Sequence, residues 1–256
     1  MTKLNALIFD VDGTLAETER DAHRVAFNDT FAEYKLDWHW SVERYGELLA
    51  VTGGKERMKF YLERYRPDYP RPDNLDAFIA ELHQNKTARY NDMLRNNPIP
   101  LRPGVRRLVE EARREGIRLA IATTTSLDNV TTLLEHSLAA DAVGWFDVIA
   151  AGEMVSAKKP APDIYDYALK NLGLPAAQCI AIEDSYNGIR AAKGANVPTL
   201  ITVSDYTRHE DFTGAELVLN HLGEPDQAFT VLAGNAGQAH YVDVAMLRRL
   251  VSQIFS

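Results

Sequence analysis

The 256-residue sequence is poor in the features that mark secreted and membrane proteins. Its single cysteine, Cys179, excludes an intramolecular disulfide framework and a cysteine-rich zinc site. Apolar runs fall well short of the roughly 18 residues that a membrane-spanning helix needs, so the sequence does not predict a membrane protein. The first residues also lack the charged and apolar pattern of a signal peptide, and we therefore expect a cytoplasmic protein.

Basic charge is also in short supply. The chain has 28 Lys and Arg residues against 36 Asp and Glu residues, a formal net charge of −8. Nucleic acids and anionic membranes favour a basic surface, so neither is expected as a partner, and no obligate protein partner is indicated. The seven histidines show no zinc-site spacing. The composition, 46% hydrophobic and 25% charged, is typical of globular proteins, and the length suits one large domain or two small ones.

The apolar segments indicate an α/β fold. Short runs of strand-forming residues are continuous rather than alternating, as expected for strands buried on both faces of a parallel sheet. From residue 97 onward these runs alternate with amphipathic helical patterns, which is typical of a doubly wound, Rossmann-like parallel sheet. The predicted strands cover residues 4–9, 117–123, 148–151, 179–183, 199–203 and 217–219.

Residues 17–96 interrupt this alternation. They contain almost no strand-like run, but they show amphipathic stretches at residues 23–31, 58–65 and 75–93. An all-helical domain inserted between the first and second strands explains this pattern most simply. We therefore predict an α/β core domain from residues 1–16 and 97–256, and a helical cap domain from residues 17–96.

Two carboxylates, Asp10 and Asp12, follow the first predicted strand. In a doubly wound sheet this is the carboxyl edge, where ligand sites form. Because neighbouring acids repel each other, a cation between them is favoured, and Mg²⁺ prefers such oxygen ligands. A calcium-binding EF-hand is excluded because its sixth position, which must be glycine, would be Leu15. For this motif taken alone, a solvated acidic turn is the alternative.

The ends of the other predicted strands carry complementary groups. Thr123 and Thr124 offer hydroxyls and backbone N–H groups at a helix start, which suit an anion. Lys159 supplies a cation beside another helix start, and Glu183 and Asp184 form a second acidic pair. Each feature alone has an ordinary structural explanation, such as a helix cap or a solvent-facing lysine. Together at one edge of the sheet, they predict a single site.

The same residues resemble the motifs of the haloacid dehalogenase (HAD) superfamily of phosphohydrolases. The order of the motifs and the helical insert after the first one are similar to the members that have a helical cap, and the resemblance spans essentially the whole chain. The four motifs correspond, in order, to Asp10-Val11-Asp12-Gly13-Thr14, Thr123, Lys159 before Pro160, and Glu183-Asp184.

This resemblance implies a role for each motif residue. Asp10 would be the nucleophile that forms an aspartyl-phosphate, and Asp12 would act as general acid and then as general base. Mg²⁺ would be held by Asp10, the backbone carbonyl of Asp12 and Asp184, with Glu183 as a direct ligand or a hydrogen-bonded partner. The phosphoryl oxygens would be bound by Thr123, the backbone N–H of Thr124, and Lys159.

Three further segments resemble the CbbY branch of this superfamily: Glu17-Thr18-Glu19, residues 183–192 and residues 202–207. Members of that branch dephosphorylate xylulose 1,5-bisphosphate to xylulose 5-phosphate, which implies a Mg²⁺-dependent sugar-phosphate phosphatase linked to carbon fixation. The alternatives are a β-phosphoglucomutase-like mutase and a phosphoglycolate-type phosphatase. Two positions depart from these relatives. Glu17 stands where they often carry Asp, and His23 lies one residue beyond the mutase's cap histidine, so no mutase role is assigned to His23.

A basic segment of the predicted cap is the candidate site for a second phosphate. Residues 51–66 contain five basic side chains against two acids, and the pair Gly53-Gly54 precedes these charged residues, a sequence that suits an anion at a helix start. The candidate ligands are Gly54, Lys55 and Arg57, and a solvated helix face with ion pairs is the alternative. The remaining candidate substrate-binding residues are Glu17, for sugar hydroxyls, and Asn187 and Arg190, near the fourth motif.

Overall fold

A single seven-stranded sheet forms the centre of the protein. The computed structural model describes residues 3–255. The strands lie in the order β3-β2-β1-β4-β5-β6-β7, with β1 to β6 parallel and β7 antiparallel to β6. The predicted doubly wound parallel sheet is thus confirmed. The strands are β1 (Ala6–Phe9), β2 (Arg118–Ala122), β3 (Val148–Ala150), β4 (Cys179–Glu183), β5 (Thr199–Thr202), β6 (Leu217–Leu219) and β7 (Val231–Gly234).

The central strands are continuously hydrophobic because both faces of the sheet are covered. Successive side chains of β1 point to opposite faces, as strand geometry requires. Leu7 and Phe9 belong to the hydrophobic cluster on one face, and Ala6 and Ile8 to the cluster on the other. The edge strand β7 was not predicted. All four of its residues are exposed, so it lacks the buried run that revealed the others.

Nine α-helices surround or follow the sheet within the described residues, and five of them lie between β1 and β2. None of the helices in residues 3–255 combines the length and hydropathy needed to cross a membrane. The helices are α1 (Arg24–Glu33), α2 (Val42–Leu48), α3 (Gly54–Tyr65), α4 (Leu75–Asn96), α5 (Val105–Arg114), α6 (Leu127–Leu133), α7 (Asp163–Leu172), α8 (Tyr186–Gly194) and α9 (Val244–Ile254). Two π-helical turns, Glu19–His23 and Leu134–Leu138, adjoin α1 and α6.

The first four helices, α1 to α4, share an aromatic cluster of their own. Trp40 packs at its centre, with ring centroids 4.7 Å from Phe27 and 4.9 Å from Phe31. This separate cluster supports our proposal that residues 17–96 form a cap and residues 1–16 and 97–256 a core. The ends of that division, Met1, Thr2 and Ser256, lie outside the described residues.

The two connections between these segments run side by side. Ala16 and Leu101 form an antiparallel bridge, and the backbone N–H of Arg102 donates to the carbonyl of Leu15 at 2.9 Å. The chain therefore leaves the sheet and returns to it at one place, close to the carboxyl end of β1.

Candidate active site

The sheet order brings the predicted motif residues together. Strand β1 lies between β2 and β4, so Asp10 after β1 has Thr123 after β2 on one side and Glu183 at the end of β4 on the other. Asp184 follows directly, and Lys159 reaches in from the loop before α7. All five side chains are buried.

Lys159 is the cation at the centre of this group. Its Nζ donates to Asp10 Oδ1 at 2.7 Å and to Glu183 Oε1 at 2.6 Å. The hydroxyl of Tyr165, on α7, also donates to Glu183 Oε1, at 2.5 Å. Burial alone would lower the pKa of Lys159, but the charges of Asp10 and Glu183 raise it above its usual value. Lys159 therefore stays protonated and neutralises the carboxylate that it contacts.

The acidic groups are under electrostatic strain without a further cation. Burial, together with the charge of Glu183, raises the pKa of Asp10 to about 7 despite Lys159. Burial, Asp10 and Glu183 raise the pKa of Asp184 well above its usual value. Positive charge placed beside these carboxyl groups would favour their ionised forms.

A divalent metal ion fits this site. The carboxylates of Asp10, Glu183 and Asp184 offer oxygens that lie within 4.8 Å of one another. Three carboxylates and the one ammonium of Lys159 leave two negative charges uncompensated, which equals the charge of Mg²⁺. Glu183 Oε2 is also buried without a hydrogen-bond partner among the described residues, so it has a free lone pair for an ion or a water molecule. Hard oxygen donors of this kind suit Mg²⁺.

Asp12 lies in a different electrostatic environment from Asp10. Its Oδ1 accepts hydrogen bonds from the Thr18 hydroxyl at 2.5 Å and from His23 Nε2 at 2.9 Å. Burial alone would raise the pKa of Asp12, but the electrostatic interaction and hydrogen bond with His23, the hydrogen bond from Thr18 and the charge of Lys86 lower it to about 2. The two carboxyl groups of the first motif are thus tuned in opposite directions, as expected for groups with different chemical roles.

A buried lysine completes the chain of donors to Asp12. Lys86 Nζ lies 2.5 Å from His23 Nδ1, and the imidazole stacks on Tyr90 with centroids 4.0 Å apart. Because an ammonium group can only donate, we assign Nδ1 as acceptor and Nε2–H as the donor to Asp12. Burial lowers the pKa of Lys86 to about 8. Lys86 therefore fixes the tautomer of the His23 imidazole, and its positive charge acts on Asp12 from the far side of that ring.

His23 reaches Asp12 although it lies one residue beyond the position expected from the mutase. Residues Glu19–His23 form a π-helical turn, which takes up an additional residue compared with an α-helical turn. The extra residue is absorbed before α1 begins, and His23 then faces the carboxylate. That His23 has no mutase role stays a prediction; its contact with Asp12 was not expected from the sequence, because spacing does not reveal a π-helical turn.

The second motif forms a polar cradle beside Asp10. Thr123 is buried, and its Oγ1 accepts a hydrogen bond from the Thr125 backbone N–H at 3.3 Å. Thr124 lines the cavity next to Asp10 and Asp12. Ser126 caps α6 by accepting from the Asn129 N–H, so this segment turns directly into a helix N-terminus. Such a turn can hold the oxygens of a phosphoryl group.

The cap supplies the other wall of the site. Gly54, Lys55 and Arg57 line a second cavity that adjoins the first and contains Lys86 and Lys158 as well. A side chain at Gly54 would overlap the ring of His83, so the close approach of α3 to α4 requires glycine there. Burial and the charges of Lys86 and Lys55 lower the pKa of His83 to about 3. This cavity is therefore cationic, with His83 neutral.

Arg57 is held in place by a second chain of contacts. Its Nη1 donates to the Tyr45 hydroxyl at 2.8 Å, and that hydroxyl donates to Glu19 Oε2 at 2.5 Å. Arg57 is 7% exposed, whereas the Lys55 side chain is 41% exposed and pairs with Glu153 of the core at 3.3 Å. Arg57 is a preformed part of the cavity, and Lys55 lies at its rim.

The described conformation is closed. The two adjoining cavities measure about 60 and 80 Å³, well below the 300–1,000 Å³ typical of ligand pockets. Contacts cross from cap to core around them: Lys158 pairs with Glu56 at 2.9 Å, and the Asn187 amide donates to Thr52 Oγ1 at 3.2 Å. A sugar phosphate can enter only when these contacts separate, so the cap must open.

Two predicted substrate-binding residues are not brought to the cavities. The carboxylate of Glu17 lies 3.2 Å from Arg102 Nε, against a separate groove at the junction of the two chain connections. Arg190 is exposed and donates to the Tyr186 hydroxyl at 3.0 Å. Asn187, by contrast, lines the cavity that contains Asp10.

Sequence reasoning missed several residues that contact the site. Lys86 is the clearest, and its signal was available: it lies four residues after Leu82 and four before Tyr90, both buried, so helical spacing places it on the inner face of α4. Glu19 and Tyr165 gave no such signal. An acid at a helix start and a tyrosine in an apolar helix both have ordinary structural explanations.

Comparison with known proteins identifies the family. The sequence model of the haloacid dehalogenase-like hydrolase family matches residues 4–196. The chain therefore belongs to this family, and the resemblance inferred from the motifs is confirmed. The predicted enzyme class, a hydrolase that acts on phosphate esters, is confirmed with it.

Individual proteins of known sequence or structure are similar to this chain over most of its length. The chain is 50% identical to protein CbbY of Cereibacter sphaeroides over 86% of its own length and 94% of that protein. A crystal structure of a mutant CbbY from Rhodobacter sphaeroides, in complex with xylulose-(1,5)bisphosphate, is similar with a TM-score of 0.80 and 49% identity, covering 85% of this chain and 94% of that one. A β-phosphoglucomutase from Clostridium difficile shares the fold, with a TM-score of 0.73 at 21% identity over 98% and 99% of the two chains.

Proposed function

We propose that this enzyme is a Mg²⁺-dependent phosphatase that converts xylulose 1,5-bisphosphate to xylulose 5-phosphate through an aspartyl-phosphate on Asp10. The observation that carries the proposal is the buried Asp10 carboxylate, neutralised by Lys159 and set beside the separately tuned Asp12. The similarity to a CbbY protein crystallised with that bisphosphate supports the choice of substrate.

In the first half-reaction, an Asp10 carboxylate oxygen attacks phosphorus while the bond from phosphorus to the sugar oxygen breaks. The leaving oxygen takes a proton from the Asp12 carboxyl group. Because Asp12 is ionised in the described state, it must first acquire this proton, and the Lys86–His23 chain ends at its Oδ1. Lys159, Thr123 and the Thr124 N–H bind the phosphoryl oxygens as their charge redistributes.

In the second half-reaction, a water molecule attacks phosphorus and the bond to Asp10 breaks, which releases inorganic phosphate. Asp12 removes the proton of that water. The low pKa of Asp12, about 2, keeps it ionised and therefore ready to accept a proton. Mg²⁺, held by Asp10, Asp184 and the Asp12 carbonyl with Glu183 beside them, would neutralise charge on the phosphoryl group.

The cationic cavity of the cap supports a substrate with a second phosphate. Lys55, Arg57, Lys86 and Lys158 line it, together with the acids Glu19, Glu153 and Asp12. These four cations outnumber the three acids of the lining by one, so the cavity favours a further anion. The phosphate that is not cleaved would also contact the cap, and this contact would stabilise the closed conformation.

The function is tested by following phosphate release from xylulose 1,5-bisphosphate with and without Mg²⁺. We expect Asp10→Asn to abolish release, because the amide is a poor nucleophile, and Asp166→Asn on the exposed face of α7 to leave it unchanged. Turnover by Asp10→Asn at the wild-type rate would exclude the mechanism. A panel of sugar 1-phosphates and phosphoglycolate separates the alternatives. Isomerised sugar phosphate without free phosphate indicates a mutase, and a preference for phosphoglycolate indicates the other phosphatase.

The second phosphate is tested by Lys55→Met, with Lys59→Met as the matched control on the same helix. Lys59 pairs with Asp76 outside the cavity. We expect Lys55→Met to raise KM for the bisphosphate much more than for a sugar monophosphate, and Lys59→Met to change neither. Equal effects of Lys55→Met on both substrates would contradict the assignment.

A further inference from the structure

Arg102 lies where the chain returns from the cap to the core, outside every predicted motif. Acceptors surround the N–H groups of its guanidinium. The side chain is 8% exposed. A guanidinium has five N–H donors, and here each one faces an acceptor. The acceptors are the backbone carbonyls of Gly13, Thr202 (2.9 Å), Val203 (2.5 Å) and Asn220 (2.8 Å), and the Glu17 carboxylate (3.2 Å).

Three of these acceptors, Gly13, Thr202 and Val203, belong to the two segments on either side of Asp184. Gly13 follows Asp12 in the first motif and has a positive φ of 84°, and a Cβ built on it would overlap the Asp184 carboxylate. On the other side, the Ser204 hydroxyl donates to Asp184, directly after the two carbonyls at the end of β5 that Arg102 holds. One side chain therefore joins both walls around Asp184.

We propose that Arg102 is a positioning residue for the metal site: it sets the spacing between the Asp12–Gly13 loop and the loop after β5, and thereby the place of Asp184. This rests on the proposed Mg²⁺ site. Arg102 itself does not contact the substrate cavities. It acts through Gly13, whose neighbour supplies a carbonyl ligand, and through the loop that carries Ser204.

The identity of the side chain matters because lysine cannot replace this geometry. An ammonium group has three donors on one atom, whereas the guanidinium spreads five over a rigid plane. Arg102→Lys keeps the charge but offers three donors to five acceptors, so at least two of the acceptors lose their donor. The loops would then relax apart, and the ligands would no longer converge at one distance. Loss of such outer partners typically weakens metal binding 10- to 100-fold.

The test is Mg²⁺ titration of the substrate-free protein by isothermal calorimetry, with phosphate release measured in parallel. We expect Arg102→Lys to raise the Mg²⁺ dissociation constant about 10-fold, with little change in KM for the sugar phosphate at saturating Mg²⁺. Arg107→Lys is the matched control, because Arg107 also donates to a backbone carbonyl, that of Gly223, but lies on α5 away from the acidic cluster. It should leave Mg²⁺ affinity unchanged.

Unchanged Mg²⁺ affinity in a folded Arg102→Lys variant, or an equal loss in Arg107→Lys, would overturn the proposal. If Arg102→Lys does not fold, Ser204→Ala loosens the opposite wall without removing a buried charge. It should weaken Mg²⁺ binding in the same direction, and unchanged affinity there would also overturn the proposal. Absence of Mg²⁺ binding by the wild-type protein would instead contradict the proposed function, so the two failures are distinguishable.

Discussion

Replacing Lys159 with methionine removes the only cation that contacts Asp10 and Glu183 among the described residues. Its Nζ lies 2.7 and 2.6 Å from their oxygens, and its side chain is 4% exposed. The variant therefore leaves the buried Asp10 without its cation, and Glu183 keeps only the hydrogen bond from the Tyr165 hydroxyl. Breaking a buried ion pair in this way costs about 3–5 kcal/mol, because the remaining charge is neither paired nor hydrated. For a chain of this size, the loss corresponds to a drop in Tm of roughly 6–20 °C.

The raised pKa of Asp10 determines whether the destabilisation by Lys159→Met grows or falls as pH rises. The pKa of Asp10 is raised from 3.8 to about 7, so its ionisation in the folded state opposes folding increasingly as pH rises from about 4 to 7. Without Lys159 this opposition grows, since the attraction that partly stabilised the anion is gone. Lys159 itself stays charged throughout this range. The destabilisation by Lys159→Met should therefore be larger at pH 8 than at pH 5.

The measurement is thermal and urea unfolding in EDTA at both pH values, repeated with Mg²⁺. The exposed Lys170→Met on the neighbouring helix α7 is the control and should leave stability within about 0.5 kcal/mol of wild type. Mg²⁺ should recover much of the loss in Lys159→Met, because it returns positive charge to the cluster. Equal losses at pH 5 and pH 8, or no loss at pH 8, would refute the electrostatic reasoning.

Three further predictions concern the surrounding residues. The metal-free wild-type protein should lose stability as pH rises from about 4 to 7, because the pKa values of Asp10 and Asp184 are raised, and Mg²⁺ should flatten this dependence in urea unfolding. Lys86→Met should lower kcat about 100-fold and change its pH profile, because Lys86 charges the donor chain to Asp12, and it should also raise KM for the bisphosphate, because Lys86 lines the cationic cavity. An unchanged pH profile of kcat would contradict this. Glu56→Lys and Lys158→Glu should each lower kcat/KM by weakening cap closure, and the double variant should recover about 0.2–1 kcal/mol, the range for exposed pairs.

The strands of the core could be predicted closely because local sequence reports their burial. The predicted ranges 179–183 and 217–219 coincide with β4 and β6, and the others differ by one or two residues at the ends. A strand covered on both faces must be apolar throughout, so its apolar run can be recognised in the sequence without knowing which strands lie beside it. Strand β7 was not predicted, because an exposed edge strand of four residues has no buried apolar run in its sequence.

The motif residues were also predictable, but their electrostatic roles were not. Asp10 and Asp12 are chemically identical and two positions apart, yet burial beside Glu183 raises the pKa of one and the His23 hydrogen bond lowers that of the other. Those partners come from β4 and from the turn before α1. Their distances depend on how distant parts of the chain pack, which no local pattern records.

Glu17, where the chain leaves the core for the cap, also shows that a local sequence pattern does not reveal a side chain's partners. Its position beside the first motif made a substrate contact plausible, but the folded chain directs its carboxylate to Arg102. The sequence by itself determined which elements form and which residues end each strand, because side-chain burial and strand termini are local properties. Only the tertiary structure decided which of those residues share a charge, a proton or a metal site, because Coulomb and hydrogen-bond energies depend on ångström distances between segments far apart along the chain.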